Sequence, residues 1–140
     1  MAELKLEIIS PSKAVYSGLV KSVTLPGTKG SFQVLHNHAP LMSILEIGLI
    51  IVQTDDVNKL YFSTAGGTAE VLNNNILVLA DSVENVDSID IKRAENSLQR
   101  AKERLEQKGS KDIDMVRAEL AMARAMNRIT LAEKYAVKVP

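Results

Sequence analysis

Ile89-Asp90-Ile91-Lys92-Arg93-Ala94-Glu95 returns further along the chain as Ile113-Asp114-Met115-Val116-Arg117-Ala118-Glu119. The echo continues, since Arg100-Ala101 and Arg104 are answered by Arg124-Ala125 and Arg128. After the first copy, Ile91, Ala94, Leu98, Ala101 and Leu105 recur at steps of three and four, the apolar stripe of one helical face. After the second, Ala118, Ala121, Ala125, Ile129 and Ala132 do the same. Ser88 or Asp90, and Asp112 or Asp114, are natural N-caps, and acids there suit the positive end of the helix dipole. Gly109, following Gln107 and Lys108, is a natural stop, because glycine accepts the left-handed conformation that ends a helix. The phrase therefore predicts an antiparallel two-helix hairpin over residues 87–140. Its seam is lined by alanine, which lets helices approach closely but buries little surface, so the hairpin holds itself together weakly.

Upstream the period changes to that of strands. Leu4, Leu6 and Ile8 alternate with Lys5 and Glu7, and Val20, Ser22 and Thr24 lie opposite Lys21, Val23 and Leu25. Further strands are expected at 47–52, 59–62, 69–72 and 76–79, separated by turn signals at Ser10-Pro11, Pro26-Gly27, Asp55-Asp56, Gly66-Gly67 and Asn73-Asn74-Asn75. Many short strands at this spacing predict a β-sandwich or flattened barrel over residues 1–86.

Hydrophobic residues make up 46% of the 140, enough for a core, and aromatics only 4%, so that core is aliphatic. The net charge is zero but divided: five lysines face nine carboxylates before Ser88, and every arginine lies after it. An acidic body and a basic tail attract each other, or the tail seeks an anionic partner. The absence of cysteine excludes disulfides, thiolate metal sites and a cysteine nucleophile. Met1-Ala2-Glu3-Leu4-Lys5 lacks the pattern of a secretory signal, and the longest aliphatic run, near Leu49-Ile50-Ile51-Val52, is too short to span a bilayer. A soluble chain that meets a membrane only through a partner is expected.

Gly27-Thr28-Lys29-Gly30-Ser31 has two residues between its glycines where a phosphate loop needs four, and it reads as a tight turn. His36 and His38 lack a third metal ligand and read as loop residues. No serine, histidine and acid arrangement points to catalysis. The arginines carry more. Arg93, Arg100 and Arg104 fall on one helix face, as do Arg117, Arg124 and Arg128, and guanidinium forks bind phosphates bidentately. The alternative is a solvated face with pairs such as Arg100–Glu103. Nucleic acid is not the expected partner, because the tail lacks interleaved aromatics and carries eight acids of its own.

The whole chain resembles the epsilon subunit of bacterial F-type ATP synthases, the counterpart of the mitochondrial delta subunit. The resemblance runs through Ser10-Pro11, Val15-Tyr16-Ser17-Gly18, Val34-Leu35, His38-Ala39-Pro40-Leu41, Gly66-Gly67, Glu70-Val71, Val78-Leu79-Ala80-Asp81 and Arg124-Ala125-Met126-Asn127-Arg128. It implies an α+β fold: a flattened antiparallel β-sandwich of about ten strands, then the hairpin. It implies a non-catalytic rotor subunit of the central stalk, peripheral on the cytoplasmic face of the bacterial inner membrane. Its partners would be the gamma subunit, the c-subunit ring and, with the hairpin extended, the alpha/beta catalytic head, where the hairpin inhibits hydrolysis. No cofactor is required.

Some members of that family bind ATP as a regulatory ligand through an Ile/Leu-Asp-x-x-Arg-Ala motif. Ile89-Asp90-Ile91-Lys92-Arg93-Ala94 matches it. The resemblance carries nucleotide roles onto Glu84, Asp90, Arg93, Arg100, Arg124 and Arg128, and partner-contact roles onto the loops holding Ser31 and His38. A stand-alone ATP-sensing module is the alternative. Three positions depart from the family pattern. Leu35-His36-Asn37 replaces a leucine-proline-glycine, Ser31 and Gln33 stand where several members carry an acid, and Thr68 replaces a bulky apolar residue.

Overall fold

The structure is a computed structural model that describes residues 3–107 and 114–136. Gly109, expected to stop the first helix, and Asp112, the alternative cap of the second, lie outside the described residues. The chain divides into two compact units, Met1–Asn85 and Val86–Pro140.

The first unit holds eight strands: β1 (Leu4–Ile9), β2 (Ala14–Val20), β3 (Ser22–Gly27), β4 (Gly30–Val34), β5 (Leu41–Gln53), β6 (Lys59–Leu72), β7 (Asn75–Ala80) and β8 (Val83–Asn85). They are hydrogen-bonded in the order β2-β1-β7-β6-β5-β3-β4, with β8 on β6. Every pairing is antiparallel except β1 with β7. Four strand positions separate β1 from β3, yet Leu4, Leu6 and Ile8 share one core with Val23 and Leu25. The sheet therefore folds over on itself into a sandwich. The two layers come from β5 and β6, which are 13 and 14 residues long. Their mutual register is interrupted between Leu45↔Gly67 and Ile47↔Ala65. On one side of the break β6 pairs with β7, and on the other with β8. Each long strand thus does the work of two, which reconciles eight strands with an expected ten.

Two expectations are corrected here. Gly66-Gly67 is not a turn between strands but the bend inside β6. Both glycines have positive φ, 110° and 146°. A Cβ on Gly67 would lie 2.2 Å from the Leu79 carbonyl oxygen. A glycine pair signals a turn in isolation, but within a paired strand it permits backbone contact that no side chain allows. Nor is 20–25 one strand. It breaks at exposed Lys21, which lets Val20, Ser22 and Val23 all be buried across the corner.

Other local readings are confirmed. Thr28-Lys29 is the tight turn between β3 and β4, closed by Gly27 opposite Gly30. Asn37 adopts φ 65°, so asparagine supplies the left-handed turn in place of glycine. Its N–H donates to Asn74 Oδ1 at 2.6 Å, tying two loops together. Thr68 is exposed, on the face away from the core, so the loss of a bulky residue there opens no internal gap.

The second unit begins with a 3-10 turn, Val86–Ser88, followed by α1 (Ile91–Glu106) and α2 (Met115–Tyr135). The helices pack against each other, and the 3-10 turn packs on α2. Ala94 and Ala101 of α1 are buried, as are Ala118, Ala125, Leu131 and Ala132 of α2. The stripe read from sequence is thus narrower than expected, since Leu98, Leu105, Ala121 and Ile129 stay half-exposed and Ile91 is exposed. Asp90 and Asp114, rather than Ser88, are the caps.

Candidate functional site

Both copies of the repeated phrase build the same helix start. Asp90 Oδ1 accepts the Arg93 N–H at 3.0 Å, and Asp114 Oδ1 accepts the Arg117 N–H at 3.0 Å. The caps have almost identical dihedrals, φ −83° and ψ 99° against φ −85° and ψ 103°. In each copy the repeated alanine, Ala94 or Ala118, donates its N–H to the cap carbonyl at 3.0 Å and buries its methyl. Ile89, one place before the cap and 9% exposed, occupies the position from which an apolar residue staples a helix entry. Isoleucine, aspartate and alanine of the phrase are accounted for by helix initiation. The arginine side chain is not.

Each helix turns by roughly 100° per residue. Arg93, Arg100, Arg117 and Arg124 immediately precede the buried Ala94, Ala101, Ala118 and Ala125, so each stands on the same rotational side of the seam. Arg104 and Arg128, three residues after Ala101 and Ala125, fall on that side too. In an antiparallel pair the local two-fold axis lies normal to the plane of the helices, so equivalent side chains emerge on one face. That face collects all six arginines. The same rotation sends Glu95, Glu106, Glu119 and Glu133 to the other side of the seam. The hairpin thus has a guanidinium face, and the other side of its seam mixes these carboxylates with Lys102. The Arg100–Glu103 pair does not form. Arg100 Nη2 donates to Ser97 Oγ at 3.1 Å, while Glu103 accepts from Gln99 Nε2 at 3.3 Å, one turn back along its own face.

Of the nucleotide candidates, Arg93, Arg100 and Arg124 are exposed and Arg128 is half-buried, all on this face. Glu84 is half-buried on β8 and belongs to the sandwich unit. Arg104 and Arg117, grouped with these arginines by helix spacing but given no nucleotide role by the resemblance, share the face. Their signal was present in the Arg-Ala phrase and in the step of three that follows it. The partner-loop candidates are not brought together. Ser31, exposed, opens β4 beside the β3–β4 turn, and half-buried His38 follows the opposite end of that strand, its Nδ1–H donating to the Ala39 carbonyl at 2.6 Å. No cluster of metal-binding side chains occurs among the described residues, and no helix of those residues is long and apolar enough to cross a membrane.

The sandwich also presents an exposed apolar face that the sequence reading did not single out. Ile44 pairs across to Thr68, Thr68 to Leu79, and Leu79 to Ile9, a row over four strands on the side away from the core. Ile44 is 66% exposed, Leu79 48%, and Met42, one pleat along, 76%. Strand alternation alone could have found these residues. Isolated exposed apolars are ordinary, however, and only the register shows that these are neighbours.

Two family models match the chain. That of the ATP synthase delta/epsilon chain β-sandwich domain covers residues 3–86, and that of the delta/epsilon chain long α-helix domain covers 87–133. The chain is similar to the ATP synthase epsilon chain of Desulforamulus reducens, 43% identical over 92% of this chain and 96% of that one. It is likewise similar to the epsilon chain of Symbiobacterium thermophilum, 41% identical over 94% of each. Among solved structures it superposes on a chain of the Euglena gracilis mitochondrial ATP synthase, OSCP/F1/c-ring, with a TM-score of 0.78 and 18% identity, covering 91% of this chain and 79% of that one. At that identity the likeness is one of fold.

Proposed function

Because the chain belongs to the ATP synthase delta/epsilon family, we propose that it is a non-catalytic rotor subunit of the central stalk, coupling ion-driven rotation to ATP synthesis. The observation that carries this reading is the exposed Ile44–Thr68–Leu79–Ile9 row with Met42 beside it. Exposed apolar side chains gathered on one sheet face mark a protein partner, and the gamma subunit is the partner we assign to them. The loops holding Ser31 and His38 are assigned to contacts with the c-subunit ring and gamma, on the cytoplasmic face of the bacterial inner membrane. Ile44→Glu with Leu79→Glu is expected to abolish co-purification with the cognate gamma subunit while leaving the circular dichroism melt unchanged. Undiminished capture of gamma by this double variant overturns the reading.

The hairpin is assigned a regulatory role, with the guanidinium face as its working surface. In one state that face holds ATP, Arg93, Arg100, Arg124 and Arg128 taking the phosphates. In the other the hairpin extends toward the alpha/beta head and inhibits hydrolysis. An element that packs through alanines suits two docked states. Calorimetric titration of ATP, with and without Mg²⁺, tests this. Saturable binding that is lost in Arg93→Ala and Arg128→Ala but kept in Asp90→Ser is expected, because serine preserves the cap. No binding at millimolar ATP would leave the hairpin a mechanical brake only.

A further inference from the structure

The corner at Lys21, where β2 turns into β3, opens onto a concavity of about 460 Å³ that the rotor reading does not use. Its exposed apolar surface is Leu35, 53% exposed, while Leu4 and Val20, 1% and 5% exposed, close the floor beneath. Its wall is polar and carries no carboxylate: Lys21, Ser22, Gln33, His36 and Gln53. Ser22 is buried and its hydroxyl donates to Gln53 Oε1 at 3.5 Å, which leaves the Gln53 amide N–H₂ as a donor. The Lys21 N–H donates to the Gln53 carbonyl at 2.7 Å, fixing the corner against the end of β5. An apolar floor with a few convergent polar groups is the ordinary make-up of a small-ligand site, and this volume lies in the usual range.

Lys21 Nζ is held by Asp56, which lies outside the cavity wall. Both side chains are well exposed, 52% and 82%. A pair so exposed contributes little and exchanges partners readily. Its geometry is nevertheless prepared, because Asp55 secures the turn. Asp55 accepts from the Asn58 side chain and from the Val57 and Asn58 N–H groups, each at 2.8 Å, and these bonds hold its carboxyl below the usual carboxylate range. Asp56 thus occupies the lysine as an internal carboxylate, standing in for an external one.

We propose that this cavity binds a small organic monocarboxylate, its carboxylate displacing Asp56 from Lys21 and its short aliphatic chain lying against Leu35. The amide donors of Gln33 and Gln53 supply the remaining hydrogen bonds, and charge-assisted bonds of this kind are about twice as strong as neutral ones.

The test is titration of butyrate into the ¹⁵N-labelled full chain, followed by backbone amide shifts, with n-butylammonium and inorganic phosphate as matched probes. Saturable shifts confined to residues around Ser22, Gln33, Leu35 and Gln53 are expected with butyrate alone. Lys21→Gln should weaken binding at least tenfold. Asp56→Asn, which releases the lysine without touching the cavity, should tighten it several-fold. Linear, unsaturated shifts overturn the proposal, as does an Asp56→Asn variant of unchanged affinity. Equal binding of n-butylammonium would show that the lysine is not the anchor, and equal binding of phosphate that the apolar surface plays no part. Either result also overturns it.

Discussion

The sandwich and the hairpin bury their apolar surface in opposite ways. The sandwich core is made of branched aliphatics, with Leu6, Ile8, Val23, Leu25, Ile50, Val52 and Val78 all fully buried. Each such side chain contributes roughly 1.5–3 kcal/mol on burial. In the α1–α2 seam the fully or nearly buried side chains are alanines, with Leu131 the one larger exception among the described helix residues. An alanine methyl contributes less than about 1 kcal/mol. The sandwich adds a continuous hydrogen-bond ladder across eight strands, whereas each helix satisfies its own backbone and asks little of its neighbour. One unit is built to stay as it is. The other is built to be held by whatever it docks against.

The sharpest way to break that contrast is truncation of comparable seam positions. Leu6→Ala should destabilise the sandwich by about 3–4 kcal/mol, through lost transfer energy and the cavity left behind. Ala101→Gly should destabilise α1 by about 1 kcal/mol and leave the main urea transition in place. Urea melts read separately at backbone amides of β1 and of α1 separate the two. A common transition that moves equally in both variants would show that the units share one core.

Next in size is Gly67→Ala. The new Cβ would meet the Leu79 carbonyl at 2.2 Å, in a backbone conformation of φ 146° that alanine resists. A loss on the order of 3 kcal/mol is expected, from strain and displaced backbone together. Near-wild-type thermal stability would mean that the bend in β6 is not what joins the two layers. Gly48 is a milder case, since the nearest atom to a Cβ there would be in the Pro26 ring, at 2.7 Å, rather than a backbone carbonyl.

Smallest is the cap. Asp90→Ala should cost about 1 kcal/mol of α1, and Asp90→Ser should recover most of it. Amide exchange in the first turn of α1 reads both. If the serine variant behaves like the alanine one, the carboxylate does something beyond capping.

Much of this was legible beforehand, and the exceptions have physical causes. The repeated phrase announced two helices because capping and the step of three or four are local, and local rules survive folding. Asp90 and Asp114 were among the expected caps for that reason. Gly66-Gly67 misled because a glycine pair reads alike in a turn and in a bent strand, and only the long-range pairing of Thr68 with Ile44 and Leu79 tells them apart. The break at Lys21 was hidden because the strand alternation runs on through it. The arginine face was half visible. One-helix periodicity grouped the arginines of each helix, but their meeting on a single face depends on the antiparallel dyad, which belongs to the pair. The Ile44–Leu79 row and the cavity at Lys21 are products of register, and no single segment encodes them.

Hydrogen exchange on the full chain, read amide by amide without nucleotide or partner, tests the unequal build most directly. Amides of β1, β3 and β7 should exchange only through global unfolding, and those of α1 and α2 at least tenfold faster through local opening. Helices as well protected as the strands would contradict the account, because a hairpin that stable on its own has no reason to await a partner.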